Sequence, residues 1–186
     1  MQDVDVVFAI SATASDAQQT FSVMKEVIKT MFEKHGVDSM RPAIIVFGDA
    51  VSVRLSFDEE VTELDELKER IENLPRNTGT PDLDAALVEA NRLLAGARPN
   101  AKKVLVIIAD DTSDSRPWEI RANARELEEG EIEVVPVGMG NEVDLNQLEH
   151  TTPHKDNLIT ADREDDTDDL AEEILEKILR SKCHFS

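Results

Sequence analysis

The sequence contains little cysteine and few aromatic residues. Among its 186 residues there are one Cys, no Tyr, one Trp and six Phe. The single cysteine, Cys183, excludes a disulfide within the chain and a zinc site built from several cysteines. We therefore expect Cys183 to be either an unpaired thiol or the partner of a cysteine outside this sequence.

Positive charge and long apolar runs are also scarce. The chain has 20 Lys and Arg against 40 Asp and Glu, which gives a formal net charge of −20. Nucleic-acid backbones and anionic lipids attract proteins through cationic residues, so we expect no nucleic-acid partner. No apolar run approaches the ~20 residues of a transmembrane helix, so we expect no membrane insertion. The N-terminal residues lead directly into a strand-like run, and we expect no signal peptide in them.

Apolar runs alternate with amphipathic stretches along the chain. The length fits a single domain over residues 1–186, with 40% hydrophobic and 32% charged residues. Short β-branched runs predict strands, and apolar residues three and four apart predict helices. The predicted strands are Val4–Ile10, Ala43–Phe47, Val51–Leu55, Lys103–Ala109, Ile132–Val137 and Leu158–Thr160. Three predicted helices have apolar stripes over Phe21–Met31, Leu64–Leu74 and Leu83–Leu94. A fourth is predicted from Pro117 to Glu129, and a fifth begins at Thr167.

The order of these elements predicts an α/β fold. It implies a doubly wound, mostly parallel sheet covered by helices on both faces, with one antiparallel edge strand. The Gly48-Asp49 link predicts a hairpin, and the most apolar strand, Lys103–Ala109, is predicted to be central. Ser15 and Thr80-Pro81 are predicted to begin helices. The acidic run 156–169 is expected to form a solvated loop and a helix N-terminus.

Hydroxyl and carboxylate side chains follow the strands whose carboxyl ends should meet at one edge of the sheet. Ligands of doubly wound sheets bind beyond that edge. The segments concerned are 9–15, 77–82 and 110–114, which contain neither His nor Cys. Hard oxygen ligands of this kind suit Mg²⁺, Mn²⁺ or Ca²⁺. Any one of these Ser and Thr residues, taken alone, is more typical of a helix cap or a turn, so both interpretations stay open.

Five motifs occur in the order and spacing of a known family. They are Asp5-Val6-Val7-Phe8, Pro42–Asp49 with Val51, Leu74-Pro75 with Gly79-Thr80, Lys103–Asp110, and Val137–Asn141. Through these motifs the chain, from Asp3 to Cys183, resembles a von Willebrand factor type A domain, also called an integrin I domain. The resemblance implies a six-stranded sheet in the order 3-2-1-4-5-6 with strand 3 antiparallel.

The resemblance also implies a metal-ion-dependent adhesion site. The family uses Asp-x-Ser-x-Ser on the first loop, a Thr on the second and an Asp after the fourth strand, and an acidic side chain of the partner completes the site. Carried over, Ser11 and Thr13 take the hydroxyl positions. Thr80 takes the Thr position and Asp110 the last Asp position, whereas Ala9 replaces the first Asp. Loss of that carboxylate predicts a degenerate site that binds Mg²⁺, Ca²⁺ or Mn²⁺ weakly or not at all.

The resemblance predicts a non-enzymatic protein-binding module of an extracellular adhesion or matrix protein, secreted as part of a larger protein. Its partner would be a protein such as a collagen or another matrix component. The first predicted strand leads into Ala9-Ile10-Ser11, where a phosphatase of the haloacid dehalogenase type would need Asp-x-Asp. The chain also lacks a phosphate-binding glycine loop and a Gly-x-Ser-x-Gly nucleophile elbow. His150 and His154 are four residues apart without a zinc-protease Glu, so we expect both at the surface.

Two other functions stay open. The acidic chain could bind calcium diffusely or act as a mineral-matrix protein, or it could be an intracellular scaffold on the same fold. The adhesion hypothesis predicts that Cys183 pairs with a cysteine upstream of this sequence, whereas the scaffold hypothesis predicts a free thiol.

Overall fold

The structure is a computed structural model, and it describes residues 2–180. Cys183 and its predicted pairing lie outside the described residues. The strands are β1 (Val4–Ser11), β2 (Met40–Phe47), β3 (Val51–Leu55), β4 (Lys102–Ala109), β5 (Ile132–Met139) and β6 (Ile159–Ala161). The helices are α1 (Ala17–His35), α2 (Leu64–Glu72), α3 (Leu83–Leu94), α4 (Pro117–Glu129), α5 (Leu145–Glu149) and α6 (Thr167–Leu179), with a short 3₁₀ turn at Lys155–Asn157.

The six strands form one sheet in the order β3-β2-β1-β4-β5-β6. All neighbouring pairs are parallel except β2 and β3, which form an antiparallel hairpin. The predicted fold class, strand order and antiparallel third strand are therefore confirmed. The carboxyl ends of five strands meet at one edge of the sheet, hereafter the carboxyl edge, and this edge carries the loops of interest.

The sheet is covered on both faces because its central strands are apolar on both sides. Alternate residues of β1 enter two separate cores, with Phe8 and Ile10 on one side and Val7 and Ala9 on the other. The first core contains buried residues of α1, α2 and α6, and the second those of α3, α4 and α5. Within β4, Ile107 has no exposed surface, as expected for a central strand.

A buried carboxylate holds the opposite, amino edge of the sheet together. Asp5 has no exposed surface and accepts hydrogen bonds from the Nε and Nη2 atoms of Arg41 at 3.1 and 2.7 Å. It also accepts hydrogen bonds from the backbone N, Nε and Nη2 of Arg98 at 2.7, 2.9 and 2.6 Å. Burial raises the pKa of Asp5, but the hydrogen bonds from Arg41 and Arg98 outweigh it and hold the pKa below its usual value. The carboxylate thus ties β1 to β2 and to the loop before β4.

Two predicted helix starts were wrong by one or more residues. Helix α1 begins at Ala17 with Asp16, not Ser15, at the N-cap position. Helix α3 begins at Leu83, and the Asp82 carboxylate accepts a hydrogen bond from the backbone N–H of Ala85 at 3.0 Å. Aspartate is as good an N-cap as serine or threonine, so the capping pattern alone did not distinguish these positions. The residues predicted as caps are therefore free for other contacts.

The hairpin between β2 and β3 supports the loop that precedes α3. A Cβ atom added to Gly48 would lie 2.2 Å from the carbonyl oxygen of Thr78, so only glycine allows this approach. The backbone N–H of Asp49 donates to Thr78 O at 2.9 Å, and that of Asp82 donates to Gly48 O at 2.8 Å. These bonds fix the position of the loop that contains Thr80.

None of the helices in residues 2–180 is long and apolar enough to cross a membrane.

Candidate functional site

The first site loop leaves the sheet at Ser11, the last residue of β1. Ser11 pairs with Ala109, the last residue of β4, so the loops after both strands start side by side. The side chain of Ser11 is almost completely buried, and its Oγ atom has no hydrogen-bond partner among the described residues. A buried hydroxyl without a partner is unusual, because desolvation of a polar group costs free energy unless a hydrogen bond replaces its water.

Asp110 follows β4 and reaches across to the first loop. Its Oδ1 atom accepts hydrogen bonds from the backbone N–H groups of Thr13 at 2.8 Å and Ala14 at 3.3 Å. Its Oδ2 atom is buried and has no partner among the described residues, and the residue is only 3% exposed. Burial raises the pKa of Asp110 above its usual value, which the two amide hydrogen bonds offset in part. One oxygen of this carboxylate therefore positions the loop, and the other is available to a ligand.

The Thr13 hydroxyl is oriented by the residue that follows Asp110. Thr13 Oγ1 donates to Asp111 Oδ2 at 3.1 Å, and the Oδ1 atom of Asp111 accepts from the backbone N–H of Thr112 at 2.8 Å. Because the hydroxyl proton is directed to Asp111, the oxygen lone pairs of Thr13 stay available. The structure therefore brings together Ser11, Thr13 and Asp110 of the four predicted site residues.

The fourth predicted site residue, Thr80, lies in the loop between α2 and α3. It is exposed and lines a separate cavity of about 620 Å³ with five acidic residues. Those residues are Asp49, Asp82, Asp84, Asp114 and Glu119. None of the hydrogen bonds found within residues 2–180 connects Thr80 to Ser11, Thr13 or Asp110.

Ala9 does not occupy a ligand position, and the interpretation that it replaces the first Asp of the site needs correction. Its side chain is 1% exposed and lies in the core beneath α3 and α4. It stands two residues before the end of β1, about 7 Å from the carboxyl edge. At the edge itself the spacing of the family motif falls on Ser11, Thr13 and Ser15. Ser11, not Ala9, therefore stands where the motif has its first Asp, and no carboxylate is present at either position.

Ser15 contacts a residue that sequence analysis missed. The Ser15 hydroxyl and its backbone N–H both donate to the Glu142 carboxylate, the N–H at 3.1 Å to Oε2. These two hydrogen bonds hold the pKa of Glu142 below its usual value. The carbonyl oxygen of Glu142 accepts from the Thr112 hydroxyl at 2.8 Å, so the loop after β5 joins the loops after β1 and β4. No local pattern could reveal this link, because Ser15 and Glu142 are 127 residues apart.

A cavity of about 440 Å³ opens between the loops that follow β1, β5 and β6, hereafter the edge cavity. Asp110, Ser15 and Glu142 line it from the loops already described. The loop after β6 contributes the acidic segment Asp162–Asp165. Arg163 in that segment forms an ion pair with Asp16, with 2.8 Å between Nη1 and Oδ2.

The donor set at the carboxyl edge fits a divalent cation poorly. Only one carboxylate, that of Asp110, has a free buried oxygen, and the nearby Ser11 and Thr13 hydroxyls are neutral. Mg²⁺ needs six oxygen ligands in near-octahedral geometry and gives up its waters reluctantly. Within residues 2–180 no group of three or more His, Cys, Asp or Glu side chains is placed to hold a metal ion.

His150 and His154, which are four residues apart in the sequence, form no metal site in the described part of the chain. His154 is exposed, as expected. His150 is half-buried, and its Nε2 atom lies 3.2 Å from Nη2 of Arg121.

The fold and the carboxyl edge together define a binding domain of the doubly wound type, with a preformed set of polar loops at one end. The family model of the von Willebrand factor type A domain matches residues 5–173, and the chain belongs to this family. Domains of this family typically mediate protein binding and are generally non-catalytic.

Solved structures agree with this fold. Proximal thread matrix protein 1 from the mussel byssus, with a zinc-occupied MIDAS motif, has a TM-score of 0.82 at 17% identity, with 95% of this chain and 46% of that chain covered. A von Willebrand factor type A protein from Catenulispora acidiphila has a TM-score of 0.74 at 18% identity, covering 95% and 42% of the two chains. Manganese-loaded TRAP protein of Plasmodium vivax has a TM-score of 0.74 at 14% identity, with 93% of this chain and 74% of that chain covered. This chain thus spans less than half of the length of the mussel protein.

Proposed function

We propose that this domain is a non-enzymatic protein-binding module that binds a protein ligand through the loops at the carboxyl edge. The observation that carries the proposal is a pair of buried atoms at this edge, Ser11 Oγ and Asp110 Oδ2, for which residues 2–180 supply no hydrogen-bond partner. Such atoms cost stability in the free protein, and a ligand that supplies their missing partners recovers that cost. A buried polar group without a partner needs an explanation, and a ligand at the carboxyl edge, where doubly wound sheets bind their ligands, supplies one.

The loops at this edge are already connected to one another, which favours binding. Thr13 is bonded to Asp111, and Glu142 is bonded to both Ser15 and Thr112. Arg163 connects the loop after β6 to Asp16 in the first loop. A surface held in one conformation loses less conformational entropy on binding than a mobile one.

We propose further that the domain belongs to a secreted adhesion or matrix protein and that its partner is another matrix protein, such as a collagen. The similarity to a byssal thread matrix protein supports this placement. The net charge of −20 is compatible with cation-rich extracellular surroundings. As the chain spans less than half of that relative, the domain would form part of a larger protein.

A matched pair of surface variants tests the location of the binding face. Asn141 is exposed in the loop after β5 at the carboxyl edge, whereas Asn100 is exposed in the loop before β4 at the amino edge. Binding to immobilised collagens and other matrix proteins is measured by surface plasmon resonance for wild type, Asn141→Arg and Asn100→Arg.

We expect Asn141→Arg to weaken binding of a matrix protein at least about tenfold, and Asn100→Arg to leave it unchanged. Equal affinity of all three proteins for every ligand they bind would refute the proposed face. Weak binding whose affinity falls steadily as the salt concentration rises, and which is the same for both variants, would favour diffuse interactions of an acidic protein.

A further inference from the structure

The edge cavity is strongly negative. Six acidic residues line it, and one cationic residue, Arg163, is present. The acidic residues are Asp16, Asp110, Glu142, Asp162, Glu164 and Asp165. The positive charge of Arg163 is directed to Asp16, at 2.8 Å, so it does not neutralise the remaining five. A cationic group that enters this cavity would meet an attractive potential from several loops at once.

A second, independent feature of the cavity is the free oxygen of Asp110. This residue is 3% exposed, lines the cavity, and has no hydrogen-bond partner for Oδ2 among the described residues. The five other acidic residues of the cavity are exposed and can be hydrated. Asp110 instead has lost water at Oδ2 without gaining a donor, so it is the group that gains most from a cationic donor.

We propose that the edge cavity binds the cationic side chain of a lysine or arginine from the protein partner, with its N–H groups donating to Asp110 Oδ2. This inference rests on the proposed function and names the partner chemistry of the same edge. The cavity volume of about 440 Å³ is ample for one such side chain. Ala14 and Met139 add apolar surface to the lining, against which the methylene stem of the side chain can pack.

The donor set favours a cationic side chain over a metal ion that bridges to an acidic partner. An ammonium group needs only three acceptors with tolerant geometry, whereas a small dication requires a complete oxygen shell. Among residues 2–180, Asp110 is the single carboxylate with a buried oxygen that has no partner, and Ser11 stands where the family motif has an Asp. Without a firmly bound dication, the negative cavity would repel an acidic side chain of a partner.

The test uses Nα-acetyl-lysine N-methylamide as the probe, with Nα-acetyl-norleucine N-methylamide as the uncharged control. Binding is followed by ¹H–¹⁵N NMR of the domain in EDTA at about 0.15 M salt, which limits diffuse attraction. The backbone N–H groups of Thr13 and Ala14 donate to Asp110 Oδ1, so their signals report on this carboxylate directly. The N–H of Arg98, bonded to Asp5 at the amino edge, serves as the remote reference.

We expect the lysine probe, but not the norleucine probe, to shift the signals of Thr13 and Ala14 in a saturable manner. Asp110→Asn should lower the affinity for the lysine probe at least about tenfold, since it removes the charge of a buried hydrogen-bonding partner. Glu129→Gln at the end of α4 removes one charge at the opposite edge and should change the affinity less than twofold. If Asp110→Asn does not fold, Glu164→Gln changes an exposed residue of the cavity instead. This variant should still lower the affinity for the lysine probe more than Glu129→Gln does.

Three results would overturn the inference. The first is an absence of saturable shifts at Thr13 and Ala14. The second is equal weakening by the cavity variant and by Glu129→Gln, which would show diffuse attraction only. The third is one-to-one Mg²⁺ binding that displaces the lysine probe and recruits acetate in its place. If Asn141→Arg abolishes binding of the matrix protein while the lysine probe fails, the proposed function stands and the lysine inference alone is wrong.

Discussion

Replacement of Asp110 by asparagine should make the domain more stable at neutral pH, although the residue belongs to the proposed site. The carboxylate is buried, and its Oδ2 atom has no partner among the described residues. A buried oxygen of a charged group that has no hydrogen-bond partner costs about 2–3 kcal/mol. Asparagine keeps an oxygen for the N–H groups of Thr13 and Ala14, and the loss of charge weakens those two bonds by about 1 kcal/mol together. We therefore expect Asp110→Asn to raise the free energy of unfolding by about 1–2 kcal/mol at pH 7.

The pH dependence of this difference follows from the direction of the pKa shift. Burial raises the pKa of Asp110 in the folded protein above its unfolded value. The penalty is therefore fully present above the folded pKa and disappears as pH falls below the unfolded value of about 3.9. Urea denaturation followed by far-UV circular dichroism in EDTA, at pH 7 and pH 3.5, measures the difference.

Glu129→Gln is the matched control, because it removes one negative charge from the same acidic chain at an exposed position. It should change the free energy of unfolding by less than about 0.5 kcal/mol. If Asp110→Asn lowers stability at pH 7 by 1 kcal/mol or more while the control does not, Oδ2 has a stabilising partner and the argument is refuted.

Three further substitutions test the fold. Asp5→Asn should cost about 3 kcal/mol at pH 7, because it breaks a buried pair with Arg41 and Arg98. The lowered pKa of Asp5 means that this contribution is present above the unfolded pKa and is lost as pH falls through the folded pKa, so the deficit measured by urea denaturation should shrink in acid. Ile107→Ala should cost about 2–5 kcal/mol in the same assay, and a loss well below 1 kcal/mol would contradict the central position of β4. Ala9→Asp should unfold or strongly destabilise the domain without a Mg²⁺-dependent rise in melting temperature, because the new carboxylate would lie in the core; a clear rise with Mg²⁺ would show that position 9 reaches the site.

The main features of the fold were predictable from local pattern. The predicted central strand, Lys103–Ala109, differs from the observed strand β4 by only one residue at its start. Apolar residues at helical spacing located the buried faces of α3 and α6, and Gly48-Asp49 located the hairpin. These features depend on periodicity, which a sequence records directly.

Details that depend on register or on distant contacts were not predictable. Asp16 and Asp82 occupy the N-cap positions that the pattern assigned to Ser15 and Thr80, because several residues in a row were suitable caps. The first strand ends at Ser11, one residue beyond the predicted Ile10, and the first position of the family motif falls at Ser11, two residues beyond Ala9. A shift of two residues keeps the same face of a strand, so alternation of apolar residues could not detect it.

Two site features required the tertiary structure. Thr80 lines a second cavity, and the backbone contacts of its loop with Gly48 and Asp49 form only in the folded chain. Glu142 was not considered, since its link to Ser15 forms only when the first and fifth loops meet.

Site-specific photo-cross-linking tests the central claim most directly, namely that the carboxyl edge binds a protein. A photoreactive benzoylphenylalanine is introduced at Asn141 in one protein and at Asn100 in another, both exposed positions at opposite edges of the sheet. Each protein is illuminated with a matrix protein that binds the wild-type domain. We predict a cross-linked product from the Asn141 position and none above background from Asn100. Cross-linking from Asn100 alone, or with the same yield from both positions, would contradict the account.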